Sequence, residues 1–327
     1  VDFWSQDYQN TLQVRPGRFL LRRGLKIYPQ FYFFIAVMFT IFYLTGKPSG
    51  IGQAAAELAF VQNYATGMWS HTWSLAIEEH FYLLLTLVIV LLARRGGPNP
   101  FRPLPGAITI AGVVILGLRV VTWKLHPEIS DYRNVFPSHL RIDSLLAGVM
   151  IAYYHTFHND RLTAWMRRIG GWAPPLSILL LSPITFLTRE DPFMVTIGFS
   201  MVAAGFVLLL LSVLYPMKPA AELSRGGRAM ARLGQVSYAF YLWHAPILLS
   251  GDWLKAYAQV RGVSIPLAAL VPLTFVACLG AAFLTTRLVE IPVLRLRDRR
   301  VPAAGSSDRV RTVTAAPLPA AEFAPRA

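Results

Sequence analysis

The chain has 327 residues, 54% of them hydrophobic and only 15% charged. A soluble domain spends about a quarter of its residues on Asp, Glu, Lys and Arg, so ordinary cytosolic enzymes and disordered chains are excluded, and the lone Cys278 rules out an internally disulfide-bonded scaffold. The net charge of +14 gathers at the ends of apolar runs rather than on one polar face, which reads as membrane orientation and not as nucleic-acid binding.

Apolar runs and their breakers, taken in chain order, predict spans near residues 28–45, 74–93, 104–123, 139–155, 173–187, 193–215, 236–254 and 265–289. Each is close to the ~20 residues that cross a bilayer. The run at 173–187 is short and holds Pro183, and the run at 139–155 carries Arg141 and Asp143 near its start. The charge pattern keeps both. With the N-terminus inside, the inner segments collect the basic residues of Arg15 to Lys26, Arg94 to Arg102, Arg161 to Arg168, Lys218 to Arg232 and Arg295 to Arg300. The outer loops then hold only Lys47, Lys124, Arg133, Arg189, Lys255 and Arg261, which is the bias that orients membrane proteins. The expected architecture is an all-α, polytopic membrane helical bundle of about eight transmembrane helices with both termini cytoplasmic.

Gly50 to Thr72 is apolar only in patches and contains Glu57, Gln62 and Asn63, so it reads as an outer loop or interfacial segment. After about residue 300 the sequence turns to Ala, Pro, Ser and Arg without periodicity, a composition that cannot bury a core. The organisation predicted is a cytoplasmic basic segment over 1–27, a transmembrane domain over 28–292 and a disordered cytoplasmic tail over 293–327.

Ionisable residues within spans cost about 2.5 to 3.5 kcal/mol each at a helix centre, which makes them functional candidates. Glu78 and Glu79 are adjacent in the second span, Glu78 one turn from Ser74 and Tyr82; both can also be read as shallow and hydrated. Arg141 and Asp143 stand two apart, on different sides of a helix, so each needs a partner elsewhere, as an acceptor contact or as a staple between helices. Ser237, Tyr241 and His244 share one stripe, where the imidazole can exchange a proton near neutral pH or serve packing alone. Arg23 and Lys26, three residues apart before the first span, serve orientation or a phosphate site. No Walker motif, paired CxxC or HExxH occurs, and no metal-ligand spacing is present.

In this order the segments resemble the membrane-bound acyltransferase-3 family, bacterial enzymes that acylate surface polysaccharides, lipopolysaccharide O-antigen, Nod factors and macrolides. The resemblance is carried by Arg23, Lys26 and Pro29, with Lys where Arg is usual, by Trp73, Ser74, Leu75, Glu78, Glu79, Phe81 and Tyr82, and by Arg141, Asp143 and Gly148. Ser237, Tyr238, Tyr241, Leu242 and His244, then Glu290 and Pro292, complete it. Members of the family begin with two further helices, one bearing a basic residue and, eleven positions on, the His taken to be catalytic, the other a Phe-Phe-x-x-Ser-Gly pattern. Neither occurs here, so the resemblance implies a truncated sequence, eight spans of an expected ten.

The resemblance implies transfer of an acyl group, usually acetyl, from acyl-CoA to a hydroxyl of a glycan, lipid-linked sugar or macrolide, by a multi-pass protein of the inner membrane. Acyl-CoA enters as donor substrate, with no bound cofactor and no metal. Arg23 and Lys26 become candidates for the acyl-CoA phosphates and Glu78 and His244 for the catalytic groups. Trp73, Ser74, Tyr82, Arg141, Asp143, Ser237 and Tyr241 become candidates for the cavity or acceptor site. A transporter or flippase fits a polar-lined bundle equally well on physics alone, and an inactive relative of the acyltransferases fits the missing helices.

Overall fold

A computed structural model describes residues 15–46, 50–215 and 224–302. Expectations that fall on Lys47, on Lys218 and on the tail after residue 302 lie outside the described residues. Regular structure among the described residues is helical throughout. Among the described residues six helices are long and apolar enough to cross a membrane: Pro16–Leu44, Ser70–Ala93, Leu104–Leu125, Asn159–Phe186, Met194–Leu214 and Leu267–Arg300. The other two expected spans also fall on helices. Asp143–Phe157 has only 15 residues, about 22 Å of rise, and Ser237–Val260 has 24 but carries Asp252 and Lys255. The protein is a polytopic helical membrane bundle.

The first helix, α1 (Pro16–Leu44), opens with proline in its first turn, where the missing N–H is harmless. It starts well before the basic segment expected over 1–27 ends, so Arg18, Arg22, Arg23 and Lys26 ride on its first turns instead of preceding it. At the other end of the chain, the helix α13 (Ile291–Arg300) runs into the segment expected to be a disordered tail from 293. Arg22 ties it back to α1 through Asp298 at 3.0 Å.

The segment between the first two spans does not lie out beyond the helix ends. A short helix, α2 (Ile51–Leu58), turns back at Phe60, whose φ of 55° is the left-handed backbone usually left to glycine. The Phe60 N–H bonds the Glu57 carbonyl and the Val61 N–H the Ala56 carbonyl, closing the helix end. The Phe60 ring stacks on Phe31 of α1, with centroids 4.8 Å apart, and Trp69 stacks on Phe42 at 5.6 Å. The return therefore runs alongside α1, with Glu57, Gln62, Asn63 and Thr72 buried inside it. Polar and irregular backbone at such a depth is tolerated only where protein, not lipid, surrounds it.

The next helices are α3 (Trp73–Ala93), α4 (Leu104–Leu125) and α5 (Asp143–Phe157), followed by α6 (Asn159–Ile169), α7 (Ala173–Leu181), α8 (Pro183–Phe186), α9 (Phe199–Leu214), α10 (Arg225–Gln235), α11 (Ser237–Val260) and α12 (Leu267–Thr285). Phe81, Leu85 and Ile89 of α3 pack on Ile108 of α4 and on Val149 and Tyr153 of α5. Phe31, Phe34, Ile35 and Met38 of α1 pack on Leu75 and Ala76 of α3 and Leu242 of α11. Large apolar side chains such as Leu83, Leu87, Leu118 and Phe275 are left exposed on the outside of the bundle, as a lipid-facing surface requires.

Candidate active site

The deepest ionic contact between α1 and α3 is a trio. One amino group of the Arg23 guanidinium lies 3.2 Å from a Glu78 oxygen and 3.4 Å from a Glu79 oxygen. The guanidinium carbon sits 3.2 Å from the centre of the Tyr82 ring, so one turn of α3 supplies both the carboxyl groups and the aromatic floor. The Tyr28 hydroxyl donates to the other Glu79 oxygen at 2.8 Å. One guanidinium cannot neutralise two carboxylates. Either a proton is retained on the pair or another cation approaches, and Lys26 lines the same space.

That space is a cavity of about 350 Å³. Of the residues singled out from sequence, Arg23, Lys26, Ser74, Glu78, Ser237 and Tyr241 all line it. The Ser74 and Tyr241 hydroxyls meet across the cavity wall at 2.6 Å. Tyr241 also donates to the His71 carbonyl, which fastens α11 to the turn ahead of α3.

His244 does not line this cavity. Its Nδ1 is 2.5 Å from the Tyr241 carbonyl one turn back, and its ring meets His71 edge to face with centroids 5.1 Å apart. His71 is the residue that sequence reading passes over, because it falls in the segment assigned to an outer loop. Its Nε2 stands 3.2 Å from the Leu242 carbonyl, an acceptor that fixes the proton there, while Nδ1 is buried without a partner. His244 is thus one of two facing imidazoles.

A second polar cluster lies on the far side of α3. Arg119, 2% exposed in the middle of α4, donates to Asp143 at 2.5 Å, to the Ser200 hydroxyl at 2.7 Å and to the Leu140 carbonyl at 2.6 Å. Ser200 donates in turn to the second Asp143 oxygen at 3.1 Å. Arg141 stays outside this network. Its guanidinium lies 3.6 Å from the centre of the Phe199 ring and 5.6 Å from that of Trp73, and Nη1 is buried without a partner. Trp73 is itself stacked on Phe136, with centroids 4.9 Å apart. Arg119 had a visible signal, an arginine inside an apolar run, which the same cost argument applied to Arg141 would have flagged. Among the described residues no three His, Cys, Asp or Glu side chains are placed to share a metal ion.

A polytopic bundle with ionisable groups converging on an internal cavity suits a membrane-embedded enzyme and a carrier alike, and comparison with known proteins shows the family. A family model described as an acyltransferase domain matches residues 9–287, and the chain belongs to this acyltransferase-3 family. O-acetyltransferase OatA of Staphylococcus aureus (strain NCTC 8325 / PS 47) is 28% identical over 269 residues, 74% of this chain and 42% of its own length. Peptidoglycan O-acetyltransferase OatA of Listeria monocytogenes serovar 1/2a is 26% identical over 272 residues, 75% of this chain and 41% of its own length. The chain spans less than half the length of these relatives. No solved structure matches it.

Proposed function

We propose that the protein moves an acyl group, acetyl in the first instance, from acyl-CoA to a hydroxyl of a cell-surface glycan. The observation that carries this reading is the cavity where Arg23, Lys26 and Glu78 converge with the paired hydroxyls of Ser74 and Tyr241. Such a transfer needs a proton acceptor beside the attacking hydroxyl and donors for the carbonyl oxygen that gains charge. Glu78 supplies the first, and the Ser74 hydroxyl, on turning from Tyr241 into the cavity, the second. The acceptor oxygen attacks the thioester carbonyl, the carbon–sulfur bond breaks as the carbon–oxygen bond forms, and the hydroxyl proton passes through Glu78 to the departing sulfur. Arg23, held by two carboxyl groups and the Tyr82 ring, positions Glu78 and leaves Lys26 as the mobile cation of the cavity.

The glycan acceptor draws on the peptidoglycan O-acetyltransferases among the relatives, and the acyl-CoA donor on the family resemblance. With the basic ends of the helices facing the cytoplasm, the donor enters from that side of the inner membrane and both described ends of the chain lie there. Purified protein in nanodiscs, given acetyl-CoA with a labelled acetyl group and soluble peptidoglycan fragments, should place label on sugar hydroxyls. Glu78→Gln should slow this by about 10² to 10⁴-fold, the usual contribution of a general base. Transfer at an unchanged rate in Glu78→Gln would remove Glu78 from the chemistry. Absence of any labelled sugar with the unaltered protein would remove the acyl-CoA-to-glycan reading itself.

A further inference from the structure

A larger cavity, about 1070 Å³, opens beside the first between the start of α1, α10 and the far end of α12. Lys26, Arg232 and Arg287 reach it from three separate helical segments. Its remaining wall is mostly apolar, with Val236, Phe283 and Leu284 among the lining residues. Other cations nearby are committed: Arg22 to Asp298, Arg23 to Glu78 and Glu79, and Arg297 to Asp298. Arg232 and Arg287 make no ion pair among the described residues, and the one carboxyl group in the wall, Glu290, accepts from its neighbour Thr286 and lies in the electrostatic reach of Lys26 and Arg297. Three cations against one carboxyl group leave the cavity with an excess of positive charge, and an anion of two or more charges relieves that repulsion.

Two further features favour an anion carried on a long arm. Between α12 and α13 the chain widens into a π turn over Thr286–Glu290, a local change of helical winding that re-aims side chains and is common at functional sites. It sets Arg287 and Glu290 on the cavity wall. The two cavities also adjoin, since Lys26 borders both, and the consecutive residues Val236 and Ser237 line one each. A ligand anchored by its phosphates in the larger space can therefore extend past Lys26 toward Ser74, Glu78 and Tyr241.

We infer that Arg232, Arg287 and Lys26 form the phosphate site for the nucleotide end of acyl-CoA, with Phe283 and Leu284 against its apolar surfaces and the acyl end in the smaller cavity. Planar guanidinium groups suit phosphate oxygens bidentately, and Lys26 acts as the point charge between the two spaces. This assignment rests on acyl-CoA being the donor. The chemistry recognised, a phosphate ester on a largely apolar body, is shared with an anionic phospholipid headgroup, and the adjoining acyl cavity favours the nucleotide.

The test uses the full chain in nanodiscs of phosphatidylcholine alone, with coenzyme A and adenosine 3′,5′-bisphosphate as probes. Arg232→Gln and Arg287→Gln should each weaken coenzyme A binding about tenfold or more, while Arg232→Lys and Arg287→Lys, which keep the charge and lose the guanidinium fork, weaken it less and show that the fold is intact. Added salt should weaken binding to the unaltered protein, and KM for acetyl-CoA should rise in the Gln variants with kcat little changed. Unchanged coenzyme A affinity in both Gln variants, with transfer intact, would overturn this site and leave the acyl-CoA reaction standing. Neither coenzyme A binding nor transfer in the unaltered protein would fail both. Phosphatidylglycerol retained by the unaltered protein and lost from the Gln variants, with coenzyme A binding unaffected, would assign the cavity to lipid and overturn the nucleotide.

Discussion

Arg119 and Asp143 close on each other at 2.5 Å from the middle of one helix and the first turn of another. The contact joins the two helices and, through Ser200, a third. Removing one partner of such a pair leaves the other charge unmatched, a loss of about 3 to 5 kcal/mol, whereas replacing both by apolar groups is often close to neutral. Arg119→Met should therefore lower the unfolding temperature in nanodiscs more than the double variant Arg119→Met with Asp143→Leu. A double variant whose loss equals the sum of the Arg119→Met and Asp143→Leu losses would show that the two residues are not coupled.

Glu57 lies outside the six spans and is fully buried. Burial pushes its carboxyl group from 4.5 up to about 7, against the pull of hydrogen bonds from the Trp69 and Met68 backbone and the Thr72 hydroxyl. The folded protein thus holds a proton that the unfolded chain releases. The associated stability is complete below the unfolded value of 4.5, is lost as pH rises toward about 7, and changes no further above that. The shift corresponds to on the order of 3 kcal/mol. Glu57→Gln should flatten the dependence of unfolding temperature on pH across this window. A slope that persists in the variant would move its origin to another group.

The orientation of the bundle follows from keeping Asp143–Phe157 and Ser237–Val260 as crossings. If the six longer helices alone crossed, the basic residues Arg161 to Arg168 would fall outside. Reporter fusions after Glu128 and Glu190 should read as external and fusions after Gly96 and Gly170 as cytoplasmic. A cytoplasmic reading at Glu128 or Glu190 would merge neighbouring spans and refute this topology.

The helices were legible because lipid imposes their length and the positive charges mark their ends. The cavity was partly legible: Arg23, Glu78, Ser74 and Tyr241 are polar residues in apolar surroundings, and the expense of burying them marks them out. Their pairing was not legible. Adjacent glutamates on α3 give no sign that a single arginine on α1 will reach both, because that depends on the depth at which the helices meet. His71 escaped for a related reason: its segment was read as an outer loop or interfacial stretch, whereas aromatic rings on α1 draw it back along that helix. Arg232 looked like an orientation charge and Arg287 passed unremarked inside the last predicted span, and only the widened turn at Thr286–Glu290 and the cavity beside it set them apart.

The left-handed backbone at Phe60 also bears on biogenesis. An eight-residue helix holds together poorly in isolation, and a phenylalanine in that conformation works against it by about 1 kcal/mol or more. What offsets both is the stacking of Phe60 on Phe31, a ring that is in place only once the first span has been threaded into the bilayer. The return segment is accordingly held by a surface that the first span provides, so its order depends on α1 rather than on its own eight-residue helix.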